Sequence, residues 1–181
     1  MPWEGRAFDS LTIENAPEGA PYVTETDVPG CISLSHRAEL AAAAYFDQSD
    51  CAVGIDLELV EPRAENFIRD FFTETEADYA LSLEGEERHE WVTLAWSAKE
   101  AVLKAWQKGL RVDTRAVELI PEENQSRPDG WTRLSYRSNR EDFPACWLGW
   151  RRMGDYLLTL AYTILSDELD GGEVGIFRVE P

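Results

Sequence analysis

Only two histidines occur in this chain, His36 and His89. That scarcity excludes a metal centre built from clustered imidazoles. No GxSxG nucleophile elbow is present to recruit either of them into a hydrolase triad. Cysteine is equally sparse, at positions 31, 51 and 146. The three are widely spaced, without a CxxC pair or a disulfide framework, which points to a reduced, cytoplasmic protein. The chain has no run of about eighteen apolar residues and no basic leader with an apolar core, so no membrane association is expected. Positive charge is also short: 17 Lys and Arg stand against 35 Asp and Glu, a formal charge of −18. Such a field repels phosphate backbones and anionic lipid, so nucleic acid is not expected as a partner. Part of that acid excess is a device for solubility.

Apolar residues are not lacking. They make up 44% of the 181 residues, with seven Trp, seven Phe and six Tyr, a composition that folds around a core. Residues 1–30 carry prolines without periodicity and read as a lead-in arm. Residues 31–165 form the main domain, and 166–181 a weakly specified C-terminal tail. The apolar runs "ELAAAAYF" and "CAVGIDLELV", separated by "DQSD", predict strand–turn–strand, although four alanines alone favour helix. Short helices are expected in "RAENFIRDFF" and from "TETEADYALSL", where Thr73 and Glu76 have capping-box spacing. The strongest helix is 86–108, with Trp91, Leu94, Ala95, Ala98, Val102, Ala105 and Trp106 on one face and Gly109 at its expected stop. Four strand-like stretches follow, with a hairpin turn in "RRMGDY". The expected class is α+β: an antiparallel sheet of three to five strands packed on a long central helix.

Three groups of residues carry candidate chemistry. Asp56 and Glu58, at i and i+2 of a strand, share one face and repel each other unless a cation sits between them. Paired carboxylates suit Mg²⁺, which takes one or two of them together with water and phosphate. Alone, the pair reads more economically as a strand end and a solvated glutamate. Glu100 and Lys104 are helical i, i+4 neighbours in an aromatic and apolar segment, with Lys99 adjacent. "ISLSHR" offers Ser33, Ser35, His36 and Arg37, hydrogen-bond donors and a fixed charge suited to phosphate.

In order along the chain, "ISLSHR", "GIDLE", "RDFFTETE" and "WSAKEAVLKAWQKGL" resemble the motif set of the 4′-phosphopantetheinyl transferase superfamily, in particular its surfactin-synthetase-activating type. The resemblance runs from about Pro21 to Tyr162. It implies transfer of the phosphopantetheine arm of coenzyme A to a serine of an acyl or peptidyl carrier protein. It further implies that Asp56, Glu58 and Glu100 hold Mg²⁺, that Glu100 takes the serine proton, and that Lys104 steadies the diphosphate. His36 would meet the 3′-phosphate, with Ser35 and Lys99 also on the coenzyme A side. The sequence departs from the family pattern in three ways. It resembles only the second of two similar halves, so a homo-oligomer or the rest of a larger synthase is expected to complete the site. Ala20 stands where a lysine is common, and Arg37 where a small residue is usual, so Arg37 is expected to replace that lysine at a coenzyme A phosphate. The exposed surface of the helix over 74–83, or the segment before it, is the expected carrier contact. The competing readings are a non-catalytic scaffold of the same fold and an unrelated acidic metal-binding protein.

Overall fold

The computed structural model describes residues 12–17, 19–24, 30–46, 51–108, 111–126, 130–142, 144–164 and 172–178, of which 122–126, 164 and 172–178 are described by their backbone alone. Ten strands and three α-helices appear among these residues. A small hairpin, β1 (Ile13–Asn15) with β2 (Pro21–Val23), lies in the lead-in arm. Strands β3 (Cys31–Arg37) and β4 (Leu40–Phe46) form a second hairpin across Ala38, whose φ is 50°. Strand β5 (Cys51–Leu59) carries the Asp56 and Glu58 pair. Helices α1 (Glu65–Phe71), α2 (Glu74–Ser82) and α3 (Gly85–Ala105) follow, and then β6 (Val117–Ser126), β7 (Thr132–Ser138), β8 (Trp147–Met153), β9 (Tyr156–Ile164) and β10 (Gly172–Arg178). The main sheet is antiparallel, in the order β5-β9-β8-β7-β6, and a three-stranded sheet runs β10-β4-β3. The class is therefore α+β, with α3 laid across β5 and β9.

The helices start and stop for local reasons. Thr73 and Glu76 close both bonds of a capping box at α2. At the end of α3 the Trp106 N–H still reaches the Val102 carbonyl, and Gln107 then takes a left-handed φ of 55°. The stop expected at Gly109 lies outside the described residues. The turn of "RRMGDY" forms as expected, with Met153 opposite Tyr156 and Gly154 at a φ of 60°.

Two expectations are corrected. The runs around "DQSD" are both strands but do not pair with each other. Strand β4 gives its edges to β3 and β10, while β5 pairs β9. The pairing of β4 on both edges also explains why four alanines form strand: sheet hydrogen bonds and burial of Ala42 and Ala44 outweigh helix propensity. In the expected tail, residues 172–178 pair with β4 throughout.

Strand β5 separates two cores. Val53, Ile55 and Leu57 pack with Ala42, Phe46, Leu158 and Tyr162 on one face. On the other, Gly54, Asp56 and Glu58 face α3, whose Val92, Ala95, Ala98 and Val102 pack with Phe72, Leu134, Leu148 and Leu157. No helix among the described residues is long and apolar enough to cross a membrane.

Candidate active site

Gly54 determines how closely α3 approaches β5. A Cβ added there would stand 1.9 Å from the Ala101 carbonyl oxygen and 2.6 Å from the Ala105 nitrogen, so only glycine permits this helix–strand contact. The contact brings the i, i+4, i+8 row Trp96, Glu100 and Lys104 down onto the carboxylates of β5. The Lys104 ammonium donates to Asp56 Oδ1 at 2.7 Å and to the Ile55 carbonyl at 3.0 Å. The Trp96 indole N–H donates to Glu58 Oε1 at 3.1 Å.

The free edge of β5 is covered by serine side chains in place of a strand. The Ile55 N–H donates to Ser33 Oγ at 3.0 Å and the Leu57 N–H to Ser35 Oγ at 3.1 Å. The Ser35 hydroxyl donates in turn to Asp56 Oδ1 at 3.0 Å. This is why "SLS" alternates as it does: positions 33 and 35 face β5, and 34 and 36 face outward.

Two buried carboxylate oxygens, Asp56 Oδ2 and Glu100 Oε1, have no hydrogen-bond partner. A buried unpaired oxygen is costly and calls for an explanation. Burial pushes the Glu100 carboxyl up to about 7; Asp56 and Glu58 add to the shift and Lys104 opposes it. Burial and Asp56 also raise Glu58, against Arg63, Arg37 and Trp96.

The structure brings Ser35, Asp56, Glu58, Glu100 and Lys104 together, sets Arg37 against Glu58, and places Lys99 and His36 apart from them. Lys99, one residue and 100° around the helix from Glu100, is wholly buried on the opposite side. It pairs with Glu76 at 2.8 Å and donates to the carbonyls of Thr114, at 3.2 Å, and Val117. Burial lowers its pKa and Glu76 opposes the shift. It ties α2 and α3 to the start of β6. His36 is exposed on the outward face of β3. Arg37 is engaged by glutamates, 2.5 Å from Glu61 and 3.5 Å from Glu58.

Sequence reasoning missed Gly54 and Arg63. The glycine interrupts a strand, a recognised mark of close backbone approach. Arg63 donates to Glu58 Oε2 at 3.1 Å and rests 5.2 Å from the Phe67 ring centroid. Nothing in its spacing announced that role.

Among the described residues no group of three or more His, Cys, Asp or Glu side chains already forms a cluster that could hold a metal ion. The two oxygens of Glu58 are taken by Trp96 and Arg63. The remaining donors, Asp56 Oδ2 and Glu100 Oε1, are buried, unpaired and set against like charge. They fit a hard divalent cation that needs only one or two carboxylates and takes its other oxygens from water and phosphate. A cavity of about 400 Å³ has Lys104, the partner of Asp56, in its wall. Its wall includes Ala20, Tyr22, Cys31, Ser33, Lys104 and Gln107, so one lysine serves both the cavity and the carboxylates.

The 4′-phosphopantetheinyl transferase superfamily model matches residues 52–161. A Synechocystis sp. protein named as a 4′-phosphopantetheinyl transferase is 28% identical over 118 residues, covering 65% of this chain and 47% of its own length. The chain thus spans about half the length of that curated relative. The crystal structure of Thermotoga maritima holo-[acyl-carrier-protein] synthase is similar with a TM-score of 0.48 and 23% identity over 61% of each chain. With more than half of its residues matched by the family model, this chain belongs to the 4′-phosphopantetheinyl transferase superfamily.

Proposed function

We propose that this chain transfers the 4′-phosphopantetheine arm of coenzyme A to a serine of an acyl or peptidyl carrier protein in a Mg²⁺-dependent reaction. The observation that carries the reading is the pair of buried, unpaired oxygens on Asp56 and Glu100, with Lys104 bound to Asp56 and lining a cavity. Phosphoryl transfer asks for positioned charge more than for covalent chemistry.

The carrier serine Oγ attacks the phosphorus that bears the pantetheine arm, and the P–O bond to 3′,5′-ADP breaks. Glu100 accepts the serine proton. Lys104, fixed by Asp56 and the Ile55 carbonyl, offers its charge to the diphosphate. Asp56 and Glu100, with Glu58 beside them, would hold Mg²⁺, which neutralises the diphosphate when bound. His36 shares the outward face of β3 with Leu34 of the cavity wall, which supports a place for it near the 3′-phosphate. Ser35 acts by holding Asp56.

Coverage of about half of the curated relative favours a site completed from outside this chain, by a second copy or by the rest of a larger synthase in the surfactin-synthetase-activating layout. The same observation favours a second reading, a non-catalytic docking domain. Incubation with coenzyme A, Mg²⁺ and a panel of apo carrier proteins, followed by intact mass, separates the two. Addition of the arm to a carrier serine supports transfer. No addition to any carrier, in a protein that also fails to bind coenzyme A, sinks the enzyme reading.

A further inference from the structure

Cys31 and Cys51 are 20 positions apart in sequence but in contact in the fold. The Cys31 thiol donates to the Cys51 carbonyl oxygen at 2.5 Å, and Cys31 packs against the same buried cluster that contains Cys51. Cys31 is the first of three alternate positions on β3, with Ser33 and Ser35, that lie along the free edge of β5. Two of these attachments are hydroxyls bound to backbone N–H groups, and the third can become covalent.

We propose that Cys31 and Cys51 form a reversible disulfide with a low-molecular-weight disulfide of the glutathione class, locking the β3–β4 hairpin onto β5. Cys31, half-buried and on the wall of the cavity, is the entry point. Its thiolate attacks the oxidant's S–S bond, forming a mixed disulfide and releasing one thiolate. The Cys51 sulfur then attacks Cys31 Sγ and releases the second. Two protein S–H bonds and one S–S bond are exchanged for one protein S–S bond and two small thiols, which carry the two protons. Cys51 is buried, and its pKa is raised by the hydrogen bond to Cys31 and by burial, so the second step is the slow one. The closed loop removes chain entropy from the unfolded state, which is the source of the added stability.

The test equilibrates the full chain in glutathione buffers from reducing to oxidising, then applies intact mass, peptide mapping and thermal melting. The expected product has lost two hydrogens, links Cys31 to Cys51, leaves Cys146 open to alkylation once unfolded, and reverts with excess thiol. Its melting temperature should rise by roughly 5–10 °C. The variant Cys51→Ser should stop at a glutathione adduct on Cys31, and Cys146→Ser should respond like the parent. A lasting adduct on Cys31 of the parent, a link to Cys146, or an unchanged or lower melting temperature after oxidation would overturn the proposal. So would a Cys51→Ser chain that takes up no glutathione.

Discussion

A glutamate in water is a poor base at neutral pH, because its conjugate acid has already dissociated near pH 4.5. Glu100 differs because α3 presses it into apolar surroundings beside Asp56 and Glu58, and its proton leaves only at about 7. Two consequences have opposite signs. The folded chain binds this proton more tightly than the unfolded chain, so the stability it contributes is complete below about pH 4.5 and is lost as pH rises through about 7. A divalent cation needs the ionised form, so metal affinity should rise with pH over the same upper range. We expect the affinity of the metal-free chain for Mg²⁺ to climb between about pH 6 and 8, and Glu100→Gln to abolish that climb and to lower turnover by at least about 100-fold. A Mg²⁺ affinity flat across this interval would remove Glu100 from the ligand set.

Element by element, the site depends on how α3 meets β5, and Gly54 sets that distance. Gly54→Ala should force the helix outward, costing about 1–3 kcal/mol in chemical denaturation and separating Lys104 from Asp56. A variant with unchanged stability and unchanged transfer would show that the close contact is dispensable. The sequence displayed α3 plainly, because its apolar face repeats at helical spacing, and the capping box of α2 could be read from two residues. The partners of the strands were less legible. Nothing in "ELAAAAYF" or "CAVGIDLELV" says that β9, more than one hundred residues on, takes the edge of β5, since pairing is decided by the whole sheet. The site was legible in part for a similar reason. Asp56, Glu58, Glu100 and Lys104 stand out as charges in apolar runs, and the fold gathers all four. Lys99 stands out in the same way, yet a single step along a helix turns it away from β5 to Glu76 and the Phe72 ring. Spacing could not show that Arg37 pairs with Glu58 and Glu61. Cys31 and Cys51 looked unrelated because β3 and β5 meet through side chains and leave no pairing pattern to read.

At the scale of the whole molecule, the formal charge of −18 bears on how a protein partner arrives. Carrier proteins are commonly acidic, so the long-range field between the two is repulsive, and association must rest on short-range contacts. The phosphates of coenzyme A are also repelled at distance, and the Lys104 ammonium acts only close in. Salt should therefore help transfer where it usually hinders charge-steered encounters. At about 0.15 M ionic strength the Debye length is near 8 Å, short enough to mute the net field while leaving the partly buried Lys104 and Asp56 pair in place. We expect kcat/KM for an acidic carrier to rise several-fold between low and physiological salt, with kcat nearly constant. The measurement is a salt series at fixed Mg²⁺ and saturating coenzyme A. A steady fall of kcat/KM with salt would mean that a local basic patch, and not the net charge, governs the encounter, and would move the search for the carrier contact from the acidic helix α2 to that patch.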